Sequence, residues 1–522
     1  MTVTSITATR PIRGLQDPLI PIETHRPRVD PGNRHNPASG LEEAIARAAS
    51  TADYDGWLDH TASAGGCVRP VQLRGEAHVV SERTGRIIST RHTDDMPDGV
   101  IYKACGNRRA AVCPSCAEVY RGDTYQLILA GLQGGKGIPA SVAEHPCAFV
   151  TFTAPSFGPV HSARKHRGRD GQLRNQTCRP RRKPDLCPHG VDLRCHQTHH
   201  DGEKILGTPL CLDCYDHDHQ VVWIVLSGEL WRRTMERTKD TLRRWAKQHG
   251  VQVKVSYGKV AEMQARGVAH FHALIRLDGV DPLEPHQLAV PHLSADHALL
   301  HHAIRTAVEG TRFRSLPHPD APNGWLIEWG SQLDARPVRQ AVDGVITETA
   351  VAGYLAKYAT KAVESIGHSS ARLTNATVRR YATDSTHAGR IIDACWRLGR
   401  PGSDLDPEEA AKNSGRLSYR RLQRWAHMLG FGGHFSTKSR RYSTTLKALR
   451  EARAEWRRGR HRTADHTDYV ETTLIVGNFS YAATGWRTIG DALLANTAAA
   501  KAREHRRRDH SPSPRVRAGR TR

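Results

Sequence analysis

Two histidines flank one hydrophobic residue in His270-Phe271-His272, inside a run that continues to Asp278. The run reads as a β-strand. Side chains alternate across a strand, so the two imidazoles share one face and Phe271 takes the other. Two imidazoles on a rigid strand are half of a divalent-metal site, and Glu262 is the carboxylate that could complete it. Imidazole suits zinc, nickel and copper, while Mg²⁺ prefers oxygen. A two-His, one-carboxylate set with open positions accommodates Mn²⁺ as well as Mg²⁺. A second reactive set is Tyr354, Lys357, Tyr358 and Lys361. Its spacing of i, i+3, i+4 and i+7 puts all four on one face of a helix. A phenol is a poor nucleophile while neutral. Nearby ammonium groups favour the phenolate, and a metal ion stabilises the charge that builds on an attacked phosphate. The two sets together make a device for attacking a phosphodiester. Each set alone also fits a plain surface: a solvated polar strand face, or a helix whose lysine stems cover tyrosine rings.

The positioning elements follow from the pattern. Val251 to Glu262 reads as the partner strand of the histidine strand. A two-residue loop at Arg266-Gly267 would pair Glu262 with Phe271, on the wrong face. A three-residue loop, Ala265-Arg266-Gly267, pairs Glu262 with His270 and puts glycine where left-handed backbone is wanted. The tyrosines belong to a helix over 351–364 with Leu355, Ala359, Ala362 and Val363 on its apolar side. Cys147–Ala154, Val221–Leu226 and Leu326–Asp334 read as strands. Glu229–His249, Ser418–Gly430 and Thr444–Arg458 read as helices, and 286–309 as a partly helical insertion rich in histidine. Strands and helices that interleave around one hairpin suit an α+β fold, an antiparallel sheet with helices on one face.

Three ordered motifs resemble those of HUH endonucleases (His-hydrophobic-His) of the rolling-circle replication initiator type, most closely the RepSA-like group of actinomycete plasmids and integrative elements. They are Phe149-Val-Thr-Phe-Thr-Ala-Pro-Ser156-Phe-Gly, Ala269-His270-Phe271-His272 and Tyr354-Leu-Ala-Lys357-Tyr358. The resemblance covers about residues 65–445. It implies an RRM-like HUH nuclease core that nicks and rejoins single-stranded or cruciform origin DNA through a 5′-phosphotyrosine. The freed 3′-hydroxyl would prime synthesis. Relaxases carry a third histidine after the pair. This chain has Arg276 and Asp278 there, which favours Glu262 as third ligand, as in several initiator families. Tyr358 aligns with the nucleophile of one class and Tyr354 with that of another, so both are candidates, with Lys357 steadying the phosphate or phenolate. An HUH-type transposase or a relaxase would share this chemistry. A non-enzymatic zinc-containing DNA-binding regulator would need no such tyrosine stripe.

The 522-residue chain carries a net charge of +23, which points to a polyanionic partner. No apolar run approaches the roughly twenty residues that span a bilayer, and the start has no signal-peptide apolar region. A cytoplasmic protein is expected, with its eleven cysteines reduced or metal-bound. Cys67, Cys105, Cys113 and Cys116 form one candidate zinc set. Cys187, Cys195, Cys211 and Cys214 form a second, in which His189 or His196 could replace Cys195. Cys147, Cys178 and Cys395 are left over. The expected organisation is a flexible segment at 1–59 and a four-cysteine zinc module at 60–125. A catalytic domain at 145–370 carries a zinc-ribbon insertion at 178–218. A helical basic DNA-binding region at 371–460 and a basic, partly disordered tail at 461–522 follow. With no P-loop motif in the chain, a host helicase and polymerase would act in trans.

Overall fold

The computed structural model describes residues 37–49, 51–81, 83–338, 347–360, 371–462 and 473–509. The chain forms two compact units, one from Asp123 to Glu451 and one from the segments that run up to Gly122 and on from Ala452. In the second unit, the strand Val71–Ser81 is central. It pairs antiparallel with Ile87–His92, with Ile101–Lys103 and, along its whole length, with Thr473–Thr484. Trp57, Tyr102 and Trp486 pack beside this sheet. Asp98 accepts hydrogen bonds from the Trp57 indole at 2.7 Å and the Tyr102 hydroxyl at 3.0 Å.

The larger unit is built on a five-stranded sheet. Its strands are β1 (Cys147–Phe152), β2 (Val253–Met263), β3 (Ala269–Gly279), β4 (Leu333–Pro337) and β5 (Ser436–Lys438). They lie in the order β4-β1-β3-β2-β5, and every neighbouring pair is antiparallel. The α+β reading with an antiparallel sheet therefore holds. The β2–β3 hairpin has the expected register, with Glu262 opposite His270. Gln264 and Val268 close a three-residue loop, and Gly267 takes the left-handed conformation at φ +75°.

Helices cover both faces, not one. On the Phe271 side lies α1 (His217–Gln248), whose Trp231 packs on Phe152 and Phe271 at ring centroid distances of 5.2 and 6.3 Å. Trp329 fills the space between these rings. Burying each such side chain contributes on the order of 2–3 kcal/mol. On the histidine side lies α2 (Glu348–Ala359), which carries the tyrosines. Since adjacent residues of a strand point oppositely, the ring contacts of Phe271 and His272 fix these assignments.

Val221–Leu226 is not a strand. All six residues are buried inside α1, which begins at the Asp216 cap, where a carboxylate oxygen accepts from His219 N–H at 2.9 Å. A helix segment enclosed on all sides loses its polar stripe, and with it the 3.6-residue signal. Leu326–Asp334 likewise resolves into two strands, Leu326–Glu328 paired with Arg312–Arg314, and β4 on the main sheet.

Lys259 of β2 is the odd member of the apolar face. Its Nζ stands 4.1 Å from the Phe271 ring centroid and 4.8 Å from that of Trp231. Burial pulls its ammonium down to about 7. The charged lysine is thus penalised in the fold, with the ring contacts offsetting part of the cost. We expect Lys259→Met to raise the unfolding free energy at pH 7 by roughly 1–3 kcal/mol. The gain should shrink toward pH 10.5, where the folded lysine is neutral and the unfolded one is already half deprotonated. Urea denaturation at the two pH values checks this, and a variant less stable at pH 7 refutes it.

Candidate functional site

β3 presents His270 and His272 on one face, as its alternation requires, and β2 brings Glu262 beside them. The Nε2 atom of His272 is 3.0 Å from a Glu262 carboxylate oxygen. Its Nδ1 is 3.1 Å from the Thr151 hydroxyl of β1, the residue directly opposite in the sheet. Phe149 stacks on the same ring at 6.0 Å with the planes 12° apart. His272 is therefore locked in orientation by three contacts, while its Nε2 faces the carboxylate. The His270 ring centroid lies 6.2 Å from that of His272. Burial first, then His272 and Arg266, hold His270 down to about 3, so it is the neutral imidazole a metal needs.

Helix α2 lies over this face. Thr347 caps it, its hydroxyl accepting from Ala350 N–H at 3.2 Å. Val351, Leu355 and Ala359 are buried, and Tyr354, Lys357 and Tyr358 are half-buried. The rings of Tyr354 and Tyr358 are 5.2 and 5.6 Å from His272 and 4.5 Å from each other. Burial, then Tyr358 and the Glu262 carboxylate, push the Tyr354 phenol well above its ordinary value. Lys361 lies outside the described residues. The expected trio and both tyrosines thus meet on one surface. Glu262, His270 and His272 do not, however, all bring ligand atoms within 4.8 Å of one another, as three other clusters do.

Beside His270 runs an open groove of about 670 Å³. Its walls are Thr153–Ser156 after β1, the hairpin turn at Gln264–Arg266, and Trp329–Gln332. The Arg266 guanidinium reaches into it and donates to the Pro155 carbonyl at 3.2 Å.

The cysteines sort into clusters whose ligand atoms lie within 4.8 Å of one another. Cys67, Cys105, Cys113 and Cys116 form the first as expected, with Sγ pairs 3.6 and 3.9 Å apart. The backbone N–H of Cys105 donates to Cys67 Sγ at 3.3 Å. In the second expected set His189 takes the place of Cys195, one of the two replacements the sequence allowed. Cys187, Cys211 and Cys214 gather with His189, whose Nδ1 is 3.2 Å from Cys214 Sγ. Burial raises the Cys187 thiol, but the backbone N–H groups of His189 and Val191 outweigh it and bring the thiol down to about 7. Cys195 turns away because it sits on the strand Cys195–Thr198, paired with Leu173–Arg179. It joins Cys178, His161 and His199 in a third cluster.

The family model for RepSA, the replication initiator protein of pSAM2, matches residues 53–500. The chain belongs to the RepSA replication initiator family. A curated replication initiator protein from Streptomyces ambofaciens is 40% identical over 468 residues, covering 87% of this chain and 92% of that one. No solved structure matches the chain. The initiator's role is thus in starting replication, and its sheet, tyrosine helix and first two cysteine clusters all fall inside the matched span. Among the described residues no helix is long and apolar enough to cross a membrane.

Two further histidines support the initiator's hairpin turn. His387 Nε2 is 3.0 Å from the Arg266 carbonyl, and its Nδ1 is 3.1 Å from His217 Nε2. Burial holds both rings down to about 4. Above pH 6.5 the folded and unfolded forms are both neutral at these rings and stability is full. As the pH falls from 6.5 toward 4, the unfolded chain takes up protons that the folded chain refuses. We expect roughly 1–3 kcal/mol of stability to be lost over that window. Urea midpoints at pH 7.5 and 5 measure it, and a pH dependence unchanged in His217→Phe/His387→Gln would assign the loss elsewhere.

Thr151, Phe149, Arg266, Cys178, His161 and His199 were not legible as site residues. Thr151 and Phe149 were within reach, because they alternate along a strand whose neighbour carries the histidines. The spacing Cys195-x3-His199 is itself a metal-ligand signal.

Proposed function

We propose that this initiator starts replication by cutting and rejoining one strand of origin DNA with tyrosine as the nucleophile. The observation that carries this reading is the approach of Tyr354 and Tyr358 to His272, whose Nε2 already contacts Glu262. We read the five-stranded sheet as an HUH-type nuclease core. His270, His272 and Glu262 would hold Mg²⁺ or Mn²⁺. The donor set fits in type and face, since Thr151 occupies Nδ1 of His272 and leaves Nε2 turned to the carboxylate. An ion held by these residues would supply polarisation of the scissile phosphate and stabilisation of the charge on its oxygens.

The chain's own groups do the rest. The attacking phenol gives up its proton and its oxygen bonds to phosphorus. The bond from phosphorus to the 3′ oxygen breaks, and that oxygen takes up a proton as the primer hydroxyl. Attack on the phosphotyrosine by a 3′-hydroxyl rejoins the strand, and the second phenol allows a second transfer. Lys357, between the tyrosines on α2, offers its ammonium to the phosphate or the phenolate. In the groove, Arg266 and the Ser156 hydroxyl would donate to the sugar–phosphate strand. The excess of 76 Lys and Arg over 53 Asp and Glu supplies salt-dependent attraction to DNA. Zinc in Cys67/Cys105/Cys113/Cys116 would brace the smaller unit, and zinc in Cys187/His189/Cys211/Cys214 the insertion that carries it. Unwinding and synthesis fall to a host helicase and polymerase.

Single-stranded oligonucleotides tiled across the replicon that encodes the chain test the reading. With Mn²⁺, one of them should yield an SDS-resistant protein–DNA band that EDTA prevents. The linked peptide should contain residue 354 or 358. No covalent band with any oligonucleotide, or a linkage outside these two residues, defeats the proposal.

A further inference from the structure

We propose that His161, Cys178, Cys195 and His199 form a third zinc site, and that this zinc fixes the groove wall that faces His270. The ligand atoms of the four residues lie within 4.8 Å of one another. His161 Nδ1 is 3.2 Å from His199 Nε2, which is 3.4 Å from Cys195 Sγ. Around a tetrahedral zinc with bonds of about 2.0 Å to nitrogen and 2.3 Å to sulfur, ligand atoms stand about 3.3–3.8 Å apart. The observed separations are close to those edges. Cys178, Cys195 and His199 are 3%, 8% and 2% exposed, so the two thiols are shielded from solvent and the imidazole is enclosed with them.

The surroundings support ligation. Glu203 holds Nδ1 of His199 at 3.0 Å, which fixes the ring with Nε2 toward the cluster. The backbone N–H of Ser162 donates to Cys178 Sγ at 3.3 Å, an outer contact of the kind that orients a ligating sulfur. Two thiolates and two neutral imidazoles balance one Zn²⁺, so the buried site carries no net charge. The ligands come from around a small sheet, Arg164–Arg167, Leu173–Arg179 and Cys195–Thr198. Most of its residues are exposed, so it has almost no apolar core of its own. Such a module needs a metal staple to fold.

The site reaches the groove through backbone. The His161 N–H donates to Thr208 at 2.9 Å, and the His161 carbonyl accepts from Gly207 at 2.8 Å. Gly207 is left-handed at φ +80° and lies directly on the hairpin turn, where a Cβ would stand 2.3 Å from Arg266 N. His161 and Gly207 line the same groove as Arg266 and His270. Zinc at one end of this strap therefore sets the surface at the other.

Zinc is counted by elemental analysis on the full chain. Cys178→Ser/Cys195→Ser should lose one equivalent relative to the unaltered chain, whatever the other clusters hold. Hydrogen exchange at Ala265–Gly267 should quicken in the same variant. Should the variant fail to fold, the unaltered chain still decides. Chelation should speed alkylation of Cys178 and Cys195 together by about tenfold or more, as expected for thiolates released from a metal. An unchanged zinc count in the folded variant, or thiol labelling indifferent to chelator, overturns the site. Zinc loss without faster exchange at the turn overturns its role in the wall. None of these readouts depends on strand cleavage, so the site can stand if the nicking proposal falls.

Discussion

Tyr354→Phe/Tyr358→Phe should abolish the covalent protein–DNA product, with at least about a 10⁴-fold fall in cleavage rate, because no other positioned nucleophile replaces a lost phenol oxygen. The rings survive as phenylalanine, so their packing on His272 and Phe149 is largely kept and the fold should be unchanged by circular dichroism. The single variants separate two roles. If one phenol attacks and the other receives the strand in a second transfer, one variant loses the first cut. The other cuts once and fails to rejoin. If either phenol can attack, each single variant keeps activity within about tenfold and only the pair is inert. A double variant that still forms the adduct removes tyrosine from the mechanism. Oligonucleotides labelled at the 5′ or the 3′ side of the cut report which end stays on the protein.

Asp278→Ala should cost about 3–5 kcal/mol of folding stability while leaving the metal ligands in place. Asp278 is 1% exposed and Arg276 is fully buried, further along the strand face that carries His270 and His272. The guanidinium donates to Asp278 at 2.6 Å and to the Gly131 carbonyl. His145 Nδ1 lies 2.7 Å from the same carboxylate, and the Ser256 hydroxyl donates to its other oxygen. Burial raises the carboxyl of Asp278, but His145 and Arg276 outweigh it and hold the group below its usual range. Removing the carboxylate strands a buried cation. Asp278→Asn should be milder, and Arg276→Met/Asp278→Leu should recover most of the loss, because replacing both partners leaves no charge uncompensated. Denaturant midpoints test the series. A double variant as unstable as Asp278→Ala would mean that volume, not charge, sets the penalty.

That network also explains a feature of the sequence. Where relaxases place a third histidine, this chain has Arg276 and Asp278, and the structure gives both a purely internal task. The hairpin around the histidines was legible because loop length, glycine position and strand alternation all bear on one register, and Glu262 opposite His270 satisfies them together. The tyrosine helix was legible from its 3.6-residue spacing. Val221–Leu226 misled because a helix buried on every side has no polar face to reveal its period. Cys195 misled because sequence order placed it between Cys187 and Cys211, whereas strand pairing with Leu173–Arg179 sends its thiol to another cluster. His161 and His199 lie 38 residues apart, and only the small sheet that joins them makes them partners. The second helical layer was hidden for a similar reason, since which face a helix covers depends on the path of the chain between elements.

The pairing of Val71–Ser81 with Thr473–Thr484 bears on how the protein is made. Register runs from Val71 against Thr484 to Ser81 against Thr473, so the first strand waits for one made far later along the chain. A ribosome that releases the polypeptide before codon 473 yields a chain that cannot complete this sheet. Contacts that span so much of the chain also form late. In such a chain Val71–Ser81 keeps an unpaired edge on that side, a row of open backbone donors and acceptors that invites pairing with another chain.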